Sequence, residues 1–483
     1  MERKPGAQIN KKTFLQSLFI LLLLMITAGI LTLVIPPGQY DHQMIEDREI
    51  IDASSYHKIE QPDYPIWRWF TAPVEVLSSP DGLTVIVIIL FLVMVGGSFA
   101  ILDTCGIIFE GINRIILKFG GQKYLLLFIV SFFFMALGAF FGIFEEVVPL
   151  IPVMLSLSYS LGWDSLVGLG MSILATNMGF SAALTNPFTI GIAQKIAGLP
   201  LFSGVLFRIP IFLVVYGIFM FFLVKYAKII DQQPEKSLVY DDDKAAKSDN
   251  ESFSSIGNPD GSSSVVTAGK VFLLFLIVIL LIMISGPVIP AISDYILPIV
   301  GILFLIGGIF AGKVSGASWN KIFSSLGKGI LGIAPGIVLI LMAVSVKHIV
   351  VSGEVLDTLL YQTSNWLTNA PPYLASVFMF FLALIIEFFI GSGSAKAFLM
   401  MPILVPLADL VGVTRQVAVT AYCFGDGFSN MVYPTNPVLL ISLGLTVVSY
   451  PKWIRWTAKL WLWIILVAII FLGIGVAINY GPF

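Results

Sequence analysis

The sequence predicts an all-α integral membrane protein built from two related halves. Hydrophobic residues make up 57% of the 483-residue chain and charged residues only 12%, and the mean hydropathy is +0.95. Runs of about 20 apolar residues, each long enough to cross a bilayer, recur along the chain. A set of motifs also recurs in its second half. The composition excludes a soluble globular protein.

The repeated motifs lie at a constant offset, with no gaps. The triplet Thr-Asn-Pro at 185–187 returns at 435–437, and Pro152 returns as Pro402. Proline and glycine interruptions at matching positions of two apolar halves are typical of the binding site of a secondary transporter. The period is too long for a solenoid, so the pattern indicates a duplicated half.

The first half, residues 1–228, is predicted to contain a retained first helix, an external loop, a second span, a hairpin, a broken helix and a further span. Their positions are 14–35, 36–82, 83 onward, 124–161, 164–197 and 204–224. Glu145 and Glu146 lie at the middle of the hairpin segment. Carboxylates at the midpoint of a lipid-exposed helix cost about 2.5–3.5 kcal/mol each. A re-entrant hairpin that opens from the cytoplasm and buries its tip in protein avoids that cost.

Residues 229–269 are rich in Asp, Ser, Lys and Gly and are predicted to form a flexible cytoplasmic linker. The second half, residues 270–483, repeats the order of elements. Spans are predicted at 271–290, 293–312 and 329–351, a hairpin that opens from outside at 373–411, a broken helix at 414–448 and a last span at 453–476. The second helix break is expected from Gly425 to Pro437.

The distribution of basic residues predicts the orientation in the membrane. With a cytoplasmic N-terminus, most of the 27 Lys and Arg fall on the cytoplasmic side, as the positive-inside rule requires. Nine crossings and two hairpins then leave the C-terminus outside. The two halves have opposite topology, which is the arrangement of an inverted repeat.

Polar residues at the hairpin tips and helix breaks are the candidate substrate-binding residues. They are Glu145, Glu146, Asn177, Ser181, Thr185, Asn186, Ser392, Ser394, Lys396, Asp426, Ser429, Asn430, Thr435 and Asn436. Half-helix amino ends favour anions and unwound carbonyls favour cations, so a zwitterion suits both. The alternative is that the Thr-Asn-Pro triplets only break helices for packing.

The charged candidates have more than one interpretation. Lys396, which the repeat aligns with Glu146, either holds a substrate carboxylate or neutralises Glu146 between the hairpin tips. Asp426 either binds a cationic substrate group, a proton or a sodium ion, or caps a half-helix. Sodium could also involve Asn186 and Asn436. Intramembrane carboxylates are functional candidates by default, although Glu145 and Glu146 could form a structural pair.

Other chemistries find no support in the chain. Metalloprotease, hydrolase and P-loop motifs are missing, so no enzyme is indicated and transport would be secondary. Three scattered histidines and two distant cysteines, Cys105 and Cys423, predict neither a metal site nor a disulfide framework. No cofactor is expected beyond a coupling ion, Na⁺ or H⁺. The net charge of −2 does not suggest nucleic acid.

Several motifs together resemble the YfcC-like branch of the DcuC family, in the ion transporter superfamily. They are Phe-Glu-Glu at 144–146, Asn-Pro-Phe-Thr at 186–189, Gly-Ser-Gly-Ser-Ala-Lys at 391–396, and Phe-Gly-Asp-Gly-Phe at 424–428. The resemblance covers nearly the whole chain apart from the linker and the first external loop. It implies a multi-pass protein of the bacterial inner membrane, a homodimer formed through scaffold helices, and elevator-type movement of a transport domain.

The resemblance leaves the substrate open, because some relatives look like arginine/ornithine exchangers while the family name comes from C4-dicarboxylate carriers. Dicarboxylate symporters of the superfamily carry Ser-Asn-Thr at both hairpin tips, and this chain does not. Three acids, Glu145, Glu146 and Asp426, against the single base Lys396 favour a carrier of basic amino acids, which works by exchange or ion coupling. The alternatives are a sodium- or proton-coupled carrier of C4-dicarboxylates or small peptides, and, more remotely, a channel.

Overall fold

A computed structural model describes residues 11–45, 48–51, 55–80, 82–248, 263–285, 295–367 and 370–481. The described chain is mostly helical. In its first half the helices are α1 (Lys11–Val34), α2 (Arg68–Glu75), α3 (Gly82–Thr104), α4 (Ile107–Phe119), α5 (Lys123–Ala136), α6 (Ile151–Ser160), α7 (Ser165–Leu169), α8 (Ala175–Ser181), α9 (Ile192–Ile196) and α10 (Val205–Gln232). In the rest they are α11 (Tyr240–Ser248), α12 (Ser263–Ser285), α13 (Ile296–Val314), α14 (Trp319–Ser352), α15 (Leu356–Leu367), α16 (Pro372–Glu387), α17 (Gly393–Val411), α18 (Arg415–Ser429), α19 (Pro437–Gly444) and α20 (Tyr450–Ala477).

The loop at 36–82 that was predicted to be external is not fully irregular, so the fold is not strictly all-α. Its four short strands are β1 (Gly38–Gln39), β2 (His42–Ile45), β3 (Arg48–Ile51) and β4 (His57–Lys58). β1 pairs with β4 and β2 with β3, both antiparallel. Two-stranded ribbons of this length have too little apolar surface to be stable alone. This loop is fixed to the second half of the chain, because Tyr40 N donates to Asp357 Oδ2 at 3.1 Å.

Nine helices among the described residues are long and apolar enough to cross a membrane. They are Phe14–Val34, Gly82–Thr104, Lys123–Phe141, Val205–Gln232, Ser263–Ile282, Ile296–Val314, Trp319–Ser352, Gly393–Val411 and Tyr450–Ala477. The set includes one arm of each predicted hairpin. The chain is therefore a multi-pass membrane protein.

Both predicted hairpins appear as two helical arms joined by a short turn. In the first, α5 continues through a π-helical turn to Phe141, and a 3₁₀ segment, Glu145–Leu150, leads into α6. Gly142 joins the arms with φ of 69°, a conformation that glycine adopts without steric cost. In the second, residues 388–392 connect α16 and α17. The acidic pair Glu145-Glu146 thus begins the returning arm of the first hairpin.

Both predicted broken helices are also present, and the second break is shorter than expected. The first lies between α8 and a π-helical turn, Pro187–Gly191, that leads into α9. The second lies between α18, which ends at Ser429, and α19. The expectation of a break beginning at Gly425 is therefore wrong, and Asp426 lies in the last turn of a helix. Tight packing explains the difference, because a Cβ on Gly425 would lie 2.5 Å from Phe380 O.

The predicted flexible linker is folded over its first part. α10 continues to Gln232, and α11 follows at Tyr240–Ser248. Asp243 on α11 is buried, accepting from Ser165 N at 2.9 Å and from Tyr159 Oη at 2.7 Å. Sequence composition predicted a flexible linker, but these contacts dock its α11 segment on the first half. Residues 249–262 of the linker lie outside the described residues.

The helices pack in two sets. In the outer set, α3 packs against α13 and α14, α12 against α13, and α1 against α14. In the inner set, α16 packs against α18, α18 against α8, and α17 against α9. α10 and α20 pack on each other and on the inner set. Both hairpins and both broken helices belong to the inner set, which therefore contains the predicted site residues.

Candidate functional site

A buried cluster of three charges lies beneath the turn of the second hairpin. Lys396, in the first turn of α17, is fully buried, and its Nζ lies 2.7 Å from Asp426 Oδ1. The same Nζ forms an ion pair with Glu387, the last residue of α16. Glu387 and Asp426 are 2% and 1% exposed. We call these three residues the charge triad; its formal charge is −1 when all three groups are ionised.

The two acids of the triad lie at helix ends that attract a cation, whereas the lysine lies at a helix end that does not. Glu387 and Asp426 lie in the last turns of α16 and α18, where the helix macrodipole places partial negative charge. Lys396 lies near the amino end of α17, where a cation is disfavoured. The ammonium is therefore held by the two acids and two helix carboxyl ends that it faces. Desolvating three charges is costly, so each depends on the others.

The tip of the second hairpin covers the triad and reaches the first half of the chain. A Cβ on Gly393 would lie 3.1 Å from Asp426 Oδ2 and 3.0 Å from Thr189 Cγ2. Tyr422 Oη donates to Gly393 O and ties this turn to α18. A Cβ on Gly391 would lie 4.0 Å from Asn436 Nδ2. The second hairpin therefore lies between the helix that follows the first break and the end of the second break.

The first Thr-Asn-Pro triplet builds the first helix break and binds it to the first hairpin. Asn186 Oδ1 accepts from Phe188 N at 2.9 Å and from Thr189 N at 3.3 Å, so Asn186 is the N-cap and Pro187 the first helical residue. Thr185 Oγ1 donates to Phe140 O at 3.0 Å. A Cβ on Gly142 would lie 2.3 Å from Asn186 Oδ1. The first hairpin turn and the first break are thus in direct contact.

The second Thr-Asn-Pro triplet caps the start of α19. Asn436 Oδ1 accepts from Val438 N at 2.9 Å, and its Nδ2 donates to Asn430 Oδ1 at 2.8 Å. Thr435, beside it, is partly buried. The repeated motif therefore has a shared physical role, which is to begin the second half-helix after each break. The side-chain oxygens of Asn186 and Asn436 both cap the helix that follows them, as expected if the triplets serve to break helices.

The two broken helices cross at a pair of small residues. A Cβ on Gly427 of α18 would lie 2.5 Å from Ser181 Cα at the end of α8. Ser181 Oγ donates to Asn177 O at 2.7 Å, and Ser429 Oγ donates to Gly425 O at 2.7 Å. Both hydroxyls are thus satisfied by the preceding turn of their own helix. The crossing brings the ends of α8 and α18 together.

Several buried polar atoms around the first break have no hydrogen-bond partner within the described part of the chain. They are Asn177 Nδ2 and Oδ1, Asn186 Nδ2 and Thr189 Oγ1. Buried polar groups in native proteins are nearly always paired, so such atoms are available to a ligand or water. Thr189 also lies beside Gly393, above the triad. Of these residues, Thr189 therefore lies next to the charged cluster.

The remaining predicted residues are at the hairpin tips. Ser392 caps α17, its Oγ accepting from Ala395 N at 3.5 Å, and lies 3.4 Å from Ser394 Oγ. Glu145 is exposed, and Glu146 Oε2 accepts from Phe144 N at 3.2 Å. In the described residues neither glutamate pairs with Lys396. The alternative in which Lys396 neutralises Glu146 is wrong, and the two residues occupy matching positions of the two hairpins.

Three further residues belong to the site and were not predicted. Glu387 is not among the residues predicted from the sequence, although a charged residue in an apolar run is the same signal that singled out Lys396. Thr189 is not among the predicted substrate-binding residues, although it closely follows the Thr-Asn-Pro triplet at 185–187. Arg208 of α10 is buried and donates to Leu184 O at 3.0 Å, within the first break. Arg208 also donates to Ser203 O and Tyr480 Oη, and no ion pair joins it to the triad among the described residues.

This arrangement, in a multi-pass protein whose buried charges surround two helix breaks, defines a membrane transporter. Residues 14–477 match the model of the DcuC family, described as "C4-dicarboxylate anaerobic carrier". The chain belongs to the DcuC family. It is 30% identical over 479 residues to a protein of Escherichia coli K12 named "Putative basic amino acid antiporter YfcC", with 92% of each chain covered.

A second relative, an "Uncharacterized protein" of Haemophilus influenzae, is 26% identical over 412 residues, covering 84% of this chain and 78% of the relative. Two solved transporters are more distant. The YdaH transporter of Alcanivorax borkumensis is 19% identical, with a TM-score of 0.42 over 97% of this chain and all of that one. MtrF of Neisseria gonorrhoeae, from a class of antimetabolite efflux pumps, is 17% identical, with a TM-score of 0.43 over 95% of this chain and 94% of that one.

Proposed function

We propose that this DcuC-family transporter exchanges basic amino acids across the bacterial inner membrane as a secondary antiporter. The observation that carries the proposal is the charge triad, a buried cluster with two carboxylates and one ammonium. A second cation in this cluster neutralises its remaining negative charge, whereas an anion adds to it. The name of the Escherichia coli relative points to the same substrate class.

The neighbouring groups offer complementary positions for the rest of the substrate. The guanidinium or side-chain ammonium of the substrate pairs with Asp426 or Glu387. Its α-carboxylate is received at the amino end of the helix that begins at Pro187, where Asn186 Nδ2 and Thr189 Oγ1 are unpaired. Thr189 lies against Gly393 above the triad, so both positions are close enough for one amino acid. The α-ammonium of the substrate then pairs with Glu145 or Glu146.

The whole-molecule features expected from the sequence belong to the same proposal. The two halves form an inverted repeat with a cytoplasmic N-terminus and an external C-terminus, and both hairpins are re-entrant. Two sets of packed helices support an elevator in which the inner set moves against the outer set of a homodimer. Swapped contacts between the halves support the repeat: α17 packs on α9, and segment 145–150 packs on α19.

A coupled dicarboxylate carrier is the second candidate, because the family is described by that substrate. A dicarboxylate has no cation to offer Glu387 and Asp426, and it would meet net repulsion there. Protons or sodium ions would have to enter with it, sodium with Asp426, Asn186 and Asn436 as its oxygen ligands. The charge triad therefore supports the basic amino acid over the dicarboxylate.

The test uses the purified protein, calorimetry and counterflow in proteoliposomes. We expect arginine, ornithine and lysine to bind, citrulline to bind more weakly, and succinate and malate not to bind, with or without sodium. Vesicles loaded with ornithine should accumulate labelled arginine. Tight binding of succinate or malate with no binding of arginine or ornithine would replace this proposal by the dicarboxylate carrier.

A variant pair localises the effect. Asp426→Asn removes one charged partner of the substrate cation, and hydrogen bonds to charged groups contribute about 1.5–3 kcal/mol, so arginine affinity should fall about 10- to 100-fold. Asp409→Asn is the matched control, because Asp409 pairs with Arg415 in an exposed salt bridge away from the triad. Equal arginine affinity in both variants would remove Asp426 from the site.

A further inference from the structure

We infer that the ammonium of Lys396 is a tethered cation that occupies, within the carrier, the place where a free coupling cation would bind. The inference deepens the proposed function and rests on the same triad. It assigns to Lys396 the role of making the carrier independent of sodium, and it predicts that removing the lysine exposes a binding site for a small monovalent cation.

The helices that supply the carboxylates of the cation site differ from the helix that supplies the ammonium. The carboxylates come from the ends of α16 and α18, and the ammonium comes from α17. Unwound carbonyls and half-helix carboxyl ends are the groups that hold coupling cations in secondary transporters. Here two such ends and two carboxylates face one position, and the Lys396 Nζ occupies it.

The site is closed to bulk solvent, so its occupant must satisfy its charge locally. Lys396 is fully buried, and Gly393 and Tyr422 lie beside the triad. Two adjacent carboxylates without a cation would repel each other at this depth. An ammonium fixed to the hairpin is present in every state of the carrier. The hairpin therefore carries its own counter-ion, and no ion needs to be taken from solution to close it.

The same ammonium can be released from one acid when substrate arrives. A substrate cation that pairs with Asp426 leaves Lys396 paired with Glu387, which keeps two cations on two carboxylates. Glu387 is thus the residue that holds Lys396 while Asp426 serves the substrate. Without Glu387, substrate binding would leave an unpaired ammonium in a buried place.

The experiment measures the thermal stability of purified Lys396→Ala protein in sodium, potassium, methylammonium and choline chlorides at one ionic strength. We expect sodium or methylammonium to raise the melting midpoint of Lys396→Ala by a few degrees over choline, because ligands stabilise the state that binds them. The wild type and Lys396→Arg, which keep a tethered cation, should not respond. Arginine counterflow by Lys396→Ala should become dependent on the added cation.

Two results would overturn the inference. One is a folded Lys396→Ala protein whose midpoint is the same in all four salts. The other is a wild type that sodium stabilises as much as it does the variant, which would place the cation elsewhere. If Lys396→Ala does not fold, the double variant Lys396→Ala with Glu387→Gln removes one unpaired carboxylate and leaves Asp426. Its midpoint must then rise in methylammonium, and an unchanged midpoint would also overturn the inference.

The stability readout separates this inference from the proposed function, because it needs no amino acid. A cation response in Lys396→Ala with no arginine binding by the wild type would support the tethered cation and refute the basic amino acid substrate. Arginine binding with no cation response would do the reverse.

Discussion

At the scale of single residues, glycine decides how closely the two broken helices approach. Gly427 has no room for a side chain, since a Cβ there would lie 2.5 Å from Ser181 Cα. Gly425, two residues earlier, is equally confined by Phe380 O. Backbone atoms cannot move aside as a flexible side chain can, and small residues permit such close helix contacts in membranes. The absence of side chains at Gly425 and Gly427 allows the close approach that places Asp426 at the crossing of the two broken helices.

We predict that Gly427→Ala destabilises the protein and impairs transport. Overpacking a tight contact costs about 1–3 kcal/mol, and here it would also displace the adjacent Asp426. The melting midpoint and arginine counterflow of the variant measure both effects. Gly217→Ala on α10 is the matched control, because a Cβ there meets nothing within 4 Å, and its midpoint should equal or exceed the wild-type value. A wild-type midpoint in Gly427→Ala would contradict the crossing.

Glu387 shows the limit of reading such a site from sequence alone. Lys396 and Asp426 were predicted from charge in apolar surroundings, but the sequence does not say which acid a buried base contacts. The repeat aligned Lys396 with Glu146, and pairing of these two residues was one of the two interpretations of Lys396. An equivalent position in a duplicated half is not a contact, and the fold instead brings α16 and α18 to Lys396. Partner choice depends on tertiary packing, which a single sequence does not contain.

We predict that Glu387→Gln reduces the preference for arginine over citrulline. Citrulline is nearly isosteric with arginine but neutral at the side-chain end, so the comparison isolates charge. With Glu387 neutral, Lys396 and Asp426 balance each other and a substrate cation gains less. The ratio of the two dissociation constants, measured by calorimetry, should fall about tenfold, which corresponds to about 1.4 kcal/mol. An unchanged ratio would show that Glu387 has only a structural role.

At the scale of elements, the repeated triplet is a helix-initiation device. The sequence located both breaks because Asn-Pro places an N-cap before the residue best suited to the first helical position. It located the second break too early, since glycine and aspartate around 425–427 disfavour an isolated helix. Packing of α18 against α8 and α16 overrides that weak preference. Element type was predictable from local chemistry, whereas the exact boundary was not.

We predict that the cap and the ligand-binding role of Asn186 can be separated. Asn186→Ala loses the cap and should lower stability by about 1 kcal/mol. Asn186→Ser keeps a capping oxygen and should restore most of this stability. Because serine lacks the free amide nitrogen, its arginine affinity should still fall, by about three- to tenfold. Melting midpoints and calorimetry on both variants test this, and full affinity in Asn186→Ser would assign Asn186 to capping alone.

At the scale of the whole molecule, the folded start of the linker joins α6, α7 and α20. Asp243 accepts from Tyr159 at the end of α6 and from Ser165 at the start of α7. Asp164 N-caps α7 and accepts from Tyr226 of α10 at 2.6 Å. Lys452 of α20 pairs with Asp242. α11 thus clamps one end of the inner set.

We predict that this clamp loosens as pH rises. Burial raises the pKa of Asp243 from 3.8 to about 6, a shift that hydrogen bonds from Ser165 and Tyr159 partly oppose. The docked state therefore binds the proton more tightly than an undocked one, so docking is strongest below pH 4, weakens up to about pH 6 and then levels off. The shift corresponds to roughly 3 kcal/mol.

Hydrogen–deuterium exchange of residues 237–248, corrected for intrinsic rates, measures the docking. Protection should be greater at pH 5 than at pH 7.5 in the wild type. Asp243→Asn, which stays neutral, should show equal protection at both pH values. The exposed Asp241→Asn is the control and should behave as the wild type does. Greater protection at the higher pH would reverse the assignment.

A crevice between the two helix sets is lined by apolar residues. Leu92, Val95, Gly96 and Phe99 of α3 line a crevice whose other wall is Val148, Pro149 and Pro152 of the first hairpin with Ile441 and Leu445 of the α19 region. Contacts of this kind have no hydrogen bonds to break when one surface slides on the other. Hydrophobic patterning could not distinguish this wall from lipid-facing surface, since both are equally apolar in sequence.

An elevator requires these walls to move past each other, so a bridge across the crevice should stop transport. With Cys105→Ser and Cys423→Ala as background, a short thiol-specific cross-linker should join Val95→Cys to Ile441→Cys. We expect it to abolish arginine counterflow, and a reducing agent to restore it. Phe275→Cys with Phe310→Cys joins α12 to α13, whose rings lie 6.3 Å apart within the outer set, and this bridge should leave transport intact. Full counterflow with the crevice bridged would mean that substrate crosses without relative movement of the two sets. The triad would then be exposed alternately by the hairpins alone.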